Sequence, residues 1–266
     1  MVERYIKSKG APAVKWAFLA VFIIIFIIDY WLVVTGRTQA ADDYVLAFFV
    51  GIRGDALTMV FRAITFCGNP ITMVGLCVFV VAVPRRLKVG IPVVLMTVCG
   101  WGAQTLLKEV VGRPRPDMSF WLVEESSYSF PSGHANVSMI FWTALLILVG
   151  RALILKNRRG AAVLLRVLLA VFAALIGVSR LYLGIHYLSD VAGGWLLAGA
   201  ILVLLFAAYD NLWPRKWRVS YDNPKWDAIP RGAEKKRRWK KAPKKRPPSS
   251  LINFPKKSNP WKMSGR

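Results

Sequence analysis

The chain contains two histidines, His134 and His186, and each stands in a cluster of polar residues at the edge of an apolar run. His186 precedes Asp190 by four positions in the segment from Ser179-Arg180 to Asp190. On a helix that spacing puts both side chains on one face. An aspartate bonded to one ring nitrogen fixes the tautomer and leaves the other nitrogen free to attack. Taken alone, the pair also admits the reading of a structural hydrogen bond. His134 follows Pro131-Ser132-Gly133 at the start of another apolar run. Serine there is a helix N-cap, glycine lets a ligand approach the backbone, and the free amides of that first turn favour an anion. The cap explains Ser132 but not His134. A third cluster runs from Lys108 through Arg113 to Arg115-Pro116, beyond a third apolar run.

Together the clusters supply three permanent cations (Lys108, Arg115 and Arg180), a helix N-terminus, two imidazoles and an orienting carboxylate. In-line phosphoryl transfer needs this set of parts. Cations and amides neutralise the equatorial oxygens, one histidine attacks phosphorus, and the other protonates the leaving oxygen. The sequence offers no carboxylate cluster to hold a divalent metal, so we expect the cations to replace it, with no metal and no cofactor.

The elements that position these residues follow from composition. The 266 residues carry 37 Lys and Arg against 14 Asp and Glu, a net charge of +23, yet 55% are hydrophobic and mean hydropathy is +0.43. A soluble domain is rarely both so basic and so apolar. The two properties are segregated: residues 210–266 hold 18 basic and 4 acidic residues, and the long apolar runs lie before them. The balance disfavours a soluble enzyme, a disordered protein and a secreted disulfide scaffold. Cys67, Cys77 and Cys99 all lie in apolar stretches and read as small buried hydrophobes.

Six runs approach the ~20 residues that cross a bilayer: Val14–Val34, Phe66–Val83, Val89–Leu107, Ala135–Leu155, Ala161–Leu183 and Tyr187–Tyr209. We expect an all-α, polytopic membrane bundle. Residues 1–13 form a cytoplasmic N-terminal segment, 14–209 the six-span domain, and 210–266 a basic cytoplasmic tail. Apolar residues at helical spacing between Asp42 and Thr65 predict one or two amphipathic helices on the membrane surface, or a loop packed on the bundle. Gly68-Asn69-Pro70 reads as a turn or helix start. Asp29, inside the first span, is expected near the outer interface or paired within the bundle. Lys and Arg divide 30 to 7 between the two sides, which puts both termini in the cytoplasm and all three clusters outside, in a cell membrane.

The three clusters resemble the signature motifs of the type 2 phosphatidic acid phosphatase superfamily: Lys108, six residues, Arg115-Pro116; then Pro131-Ser132-Gly133-His134; then Ser179-Arg180, five residues, His186, three residues, Asp190. The resemblance covers about residues 40–209, and the wording around the motifs also resembles the bacterial membrane branch. It implies His186 as nucleophile through a phosphohistidine, Asp190 as its orienting partner, and His134 as the acid that serves the leaving group and then activates water. Lys108, Arg115, Ser132, Gly133 and Arg180 would bind phosphate. It further implies a metal-independent phosphatase acting on phosphatidate, phosphatidylglycerol phosphate or a polyprenyl pyrophosphate such as undecaprenyl pyrophosphate.

A site at span ends suits a lipid that keeps its tails in the bilayer. Phe120, Trp121, Tyr128 and Phe130 are expected to form an interfacial lid or anchor. Glu124 and Glu125 would repel an anionic substrate, so they are expected to face water or pair with Arg113. The alternatives are a lipid phosphotransferase using the same site, and a non-catalytic scaffold or transporter, which the intact histidines argue against. The tail, rich in Lys, Arg, Pro and Trp, is disordered by composition. Its expected partners are anionic inner-leaflet lipids, in preference to nucleic acid.

Overall fold

The computed structural model describes residues 11–82, 87–155 and 158–214. The first ten residues, Arg85, Arg86 and Lys156 lie outside the described residues, as does the tail from 215 onward, including its expected disorder and lipid contacts. Among the described residues the secondary structure is helical, without strands. The helices are α1 (Ala11–Val34), α2 (Gln39–Gly51), α3 (Asp55–Phe66), α4 (Pro70–Ala82), α5 (Leu87–Val111), α6 (Gly133–Leu155), α7 (Arg159–Tyr182) and α8 (Leu188–Leu212), with a 3-10 turn at Met118–Phe120.

Five of these helices are long and apolar enough to cross a membrane, and a sixth crossing is made if α3 and α4 count together. Four expected spans agree with single helices to within a few residues, and the first begins slightly early. The second, Phe66–Val83, is corrected. Its helix begins only at Pro70, where Asn69 Oδ1 accepts the Ile71 amide at 2.9 Å and caps the new start. Proline is favoured at a first helical position because it has no amide to leave unpaired. The 13 residues of α4 rise only about 20 Å, less than the apolar thickness of a bilayer. α3 precedes α4 at a bend of 49°. Two helices, α2 and α3, therefore occupy the segment where one or two were expected.

α6 is the central helix, packed against α5, α7 and α8, while α1 lies on α8. Ile140, Phe141, Ala144 and Leu148 of α6 meet Met73 of α4, Val93 and Met96 of α5, and Leu202 and Phe206 of α8. α1 is apolar on all sides, and Phe18, Ile24, Ile27 and Ile28 remain exposed, as a lipid-facing helix requires. Asp29 lies against the core: its Oδ2 is buried without a hydrogen-bond partner, in the space beside Gly193 and Phe130. Of the two alternatives expected for Asp29, pairing within the bundle is not made by this oxygen. Cys99 is exposed, whereas Cys67 and Cys77 are half-buried, so none of the three is fully buried as expected.

The two ends of the bundle are chemically distinct. At one end lie the starts of α6 and α8 and the ends of α5 and α7, which carry all three polar clusters. At the other, Arg151 of α6 and Lys15 of α1 both bind Asp210 of α8, at 2.9 and 3.2 Å.

Candidate active site

Gly184 shapes the turn that carries His186. Its φ of +73° is a left-handed conformation that glycine adopts without strain, and it ends α7. The chain then passes through His186 to Tyr187, the residue before α8. His186 is therefore not on a helix with Asp190, as the four-residue spacing suggested. Asp190 sits in the first turn of α8 and its Oδ2 reaches back to accept the Tyr187 amide at 2.8 Å. That reach folds His186 onto the same oxygen, with Nδ1 3.3 Å from Oδ2. Ser129 Oγ donates to Oδ2 at 2.5 Å.

The other ring nitrogen, Nε2, is 3.1 Å from Nη1 of Arg115. A guanidinium only donates, so Nε2 carries the lone pair and the ring proton is on Nδ1, toward Asp190. Burial, followed by the charges of Arg115, Lys108, Arg180 and Arg113, holds the His186 imidazolium well below the usual 6.5. The ring is a neutral base with its free nitrogen beside a cation.

A cavity of ≈ 200 Å³ opens at this point. Lys108, Arg115, Gly133, His134 and His186 line it together, with Glu125 and Ser127 from the loop and Gln104 from α5. Lys108 Nζ donates to Tyr128 O at 2.5 Å and to Ser127 Oγ at 3.1 Å. Arg115 donates to the carbonyls of Ser127 and Ile185, at 2.6 and 2.7 Å. The remaining sequence candidates stand one layer back. Asp190 is behind His186. Arg180, 3% exposed, donates to Thr65 Oγ1 at 2.8 Å and to Glu125 Oε2 at 2.9 Å. Ser132 stands at the start of α6, and Asn136 donates its amide to the Ser132 carbonyl. The Ser132 hydroxyl is buried with no hydrogen-bond partner. The side-chain cap expected there is not formed, and the hydroxyl is left over.

The close packing of α8 on the start of α6 requires Gly194. A Cβ there would lie 2.8 Å from the Ser132 carbonyl oxygen and 3.3 Å from the Asn136 amide nitrogen.

Two expectations about the loop are corrected. Glu125 does not pair with Arg113 and is only partly exposed: it lines the cavity, bound to Arg180 and 3.8 Å from Arg115. The clustered cations outweigh any preference of that carboxylate for solvent. Arg113 instead binds Asp42 and Asp190, at 2.8 and 2.6 Å. Phe130 is not part of a lid, because it is fully buried and stacks on Phe26 of α1 at 6.0 Å between centroids. Phe120 and Tyr128 stay exposed, and Glu124 faces solvent as expected. Arg53 and Arg62 moor the loop through the Phe120 and Leu122 carbonyls, at 2.7 and 3.0 Å.

Gln104, Ser127, Ser129, Asp42 and Arg113 were not among the sequence candidates. The serines of Ser126-Ser127-Tyr128-Ser129 and an arginine on the side poor in positive charge were the available signals. Asp42, one charge in an amphipathic stretch, gave none.

The inner wall of the cavity is apolar, with Pro70, Met73, Trp101 and Val137. Met73 and Trp101 also line a groove of ≈ 490 Å³ between α4 and α5. Val74, Val78 and Val98 in that groove are exposed on the outer face of the bundle.

Comparison with known proteins agrees with this architecture. Residues 88–214 match the PAP2 superfamily. The chain is 33% identical over 181 residues to phosphatidylglycerophosphatase B of Bacillus subtilis (strain 168), covering 66% of this chain and 87% of that protein. A shorter match, 42% over 91 residues, is to phosphatidylglycerophosphatase B of Haemophilus influenzae, covering 33% of this chain and 36% of that protein. Among solved structures, the transmembrane PAP2 type phosphatidylglycerolphosphate phosphatase of Bacillus subtilis superposes with a TM-score of 0.65 at 27% identity, over 73% of this chain and 96% of that one. Aquifex aeolicus LpxE shares the fold, with a TM-score of 0.51 at 18% identity over 63% of this chain and 95% of that one. With its helices apolar enough to cross a bilayer, this chain belongs to the PAP2 superfamily, as a multi-span membrane phosphatase.

Proposed function

We propose that the chain hydrolyses a lipid phosphate, with phosphatidylglycerol phosphate as the leading substrate, through a phosphohistidine on His186. The observation that carries this reading is one cavity with two chemistries: cations and both imidazoles at its polar end, and an apolar wall running into the groove between α4 and α5. A lipid would lay an acyl chain along Met73 and Trp101 and present its phosphate to Lys108, Arg115 and Gly133. The similarity to two phosphatidylglycerophosphatases supports the choice of headgroup.

In the first step, His186 Nε2 forms a bond to phosphorus while the bond from phosphorus to the lipid oxygen breaks, and His134 gives that oxygen its proton. In the second, water attacks phosphorus, His134 takes the proton, and the phosphorus–nitrogen bond breaks. Arg115, Lys108, Arg180, the Ser132 hydroxyl and the amides of the first turn of α6 would balance the charge on the equatorial oxygens. No step needs a divalent metal. The Lys and Arg asymmetry supports a site facing outward, and a cysteine introduced at Ser126 should react with an impermeant maleimide on intact cells.

The decisive experiment uses the purified full chain in lipid nanodiscs with chelator present, supplied with phosphatidylglycerol phosphate, phosphatidate or undecaprenyl pyrophosphate in ¹⁸O-labelled water. The reading expects fastest phosphate release from phosphatidylglycerol phosphate and one labelled oxygen per phosphate. Loss of turnover with chelator, restored by metal, would overturn the mechanism. Phosphate appearing on an added lipid alcohol would make the chain a transferase.

A further inference from the structure

Behind His186 and Asp190 stands a buried ion pair that the reaction above does not use. Arg113 donates through Nη1 to Asp190 Oδ1 at 2.6 Å and to Ser189 Oγ at 2.7 Å, and through Nη2 to Asp42 Oδ2 at 2.8 Å. Asp42, on α2, also accepts the amide and hydroxyl of Ser189, at 2.9 and 2.6 Å. Arg113 is 9% exposed and Asp42 1%. Neither lines the cavity. Stability is a weak reason for such a pair, because packed apolar side chains of similar volume often serve as well.

The geometry offers a better reason. Oδ2 of Asp190 receives Ser129, Tyr187 and His186, and Oδ1 receives Arg113, so the carboxylate is fixed from both sides. A buried carboxylate facing an imidazole with no cation behind it would draw a proton onto the ring. The resulting imidazolium has no lone pair with which to attack.

We propose that Arg113, seated on Asp42, is a positioning residue for the nucleophile: it pins Asp190 so that Oδ2 meets His186 Nδ1, and its charge keeps the ring neutral with Nε2 free. The proposal rests on the reading of His186 as nucleophile. Burial works against the charge on Arg113, but Asp190 and Asp42 outweigh it and raise its pKa, so it stays a cation. Other charges also face the pair. Arg115, Lys108 and Arg180 oppose protonation of the ring. His134 and Glu125 share its cavity, and Asp29 is within electrostatic reach of Asp190.

The test is ring ¹⁵N NMR of the full chain in nanodiscs. Its two histidines give two titrating rings, assigned with His134→Gln. In the wild type the His186 proton should reside on Nδ1, with a midpoint below 6.5. Arg113→Gln should raise that midpoint by about one unit, and Arg113→Lys should bring it back. Asp42→Asn removes an anion and should move the midpoint down. In turnover, Arg113→Gln should lower kcat about tenfold or more and leave KM within about threefold, because the guanidinium does not touch substrate. An unmoved midpoint in Arg113→Gln, a shift in the same direction for both variants, or no return with lysine would each overturn the proposal. If Arg113→Gln does not fold, the sign of the Asp42→Asn shift decides alone: downward supports it and upward sinks it. The titration needs no turnover, so an inactive wild type would count against the proposed function and still leave this inference measured.

Discussion

Each end of the bundle carries an ion cluster in which one residue is held between two of opposite charge. At the far end, Asp210 lies between Lys15 and Arg151, with side chains 25%, 49% and 17% exposed. At the site end, Arg113 lies between Asp42 and Asp190, at 9%, 1% and 0%. The difference in burial separates a tether from a device. An exposed pair is screened and adds little. A buried one costs several kcal/mol of desolvation per ion, offset only where every lone pair is met, and the site end meets them with Ser129, Ser189 and the Tyr187 amide. The bundle carries that cost where the chemistry is.

The sharpest way to test the contrast is to remove the groups that the buried cluster serves. His186→Ala should lower turnover by about four orders of magnitude while circular dichroism and the melting temperature stay near wild type. Activity retained within tenfold would assign the nucleophile elsewhere. Arg115→Ala should cost about 10²–10³ in kcat/KM, the scale for losing one donor to a developing oxyanion, and with it the hydrogen bond to Nε2.

Acid should act on the two ends differently. The His186 pKa is depressed in the folded chain by burial and by its cation neighbours. The unfolded chain therefore takes up that proton first, near 6.5. This contribution to stability is complete above 6.5 and is lost as pH falls toward the lower folded value. The acid limb of kcat/KM assigned to His186 should lie below 6.5 for the same reason. A limb that belongs to His186 and lies at or above 6.5 would contradict the neutral, cation-flanked ring.

Glu125→Gln tests the carboxylate that, among the described residues, binds Arg180 and approaches Arg115 and would compete there with substrate. KM should fall a few-fold, a modest effect because a partly exposed pair is weak; a rise in KM would mean that Glu125 helps to hold the substrate. The smallest effect belongs to the far end. Asp210→Asn should change stability by no more than about 1 kcal/mol and leave kcat unchanged, and a large loss of activity would erase the distinction between the ends.

Much of this molecule was legible in the order of its residues. The spacing from Lys108 to Arg115, the Pro131–His134 run and the Arg180–His186–Asp190 series were readable because each motif is local and chemically specific. Five spans were readable because an apolar run of that length has few other uses. The second was begun at Phe66 instead of Pro70, since hydropathy is continuous through Gly68-Asn69-Pro70; the turn or helix start read at those three residues is where the helix begins, capped by Asn69. Ser132 was read as a side-chain cap because the type fits. In the fold, backbone bonds complete that turn and the hydroxyl is left unpaired.

Pairing across long separations was not legible. Asp42 meets Ser189 across 147 positions and Arg113 meets Asp190 across 77, and nothing in the local composition names either partner. The same holds for Glu125, whose sign argued for solvent until three cations were brought around it. The residue types and their short-range spacing determined the chemistry and the membrane-spanning character of the chain, because those depend on neighbours a few positions away. The tertiary structure alone decided which charges face one another and which oxygen meets which ring nitrogen, because Coulomb and hydrogen-bond energies depend on distance and burial in space, and helix packing sets both.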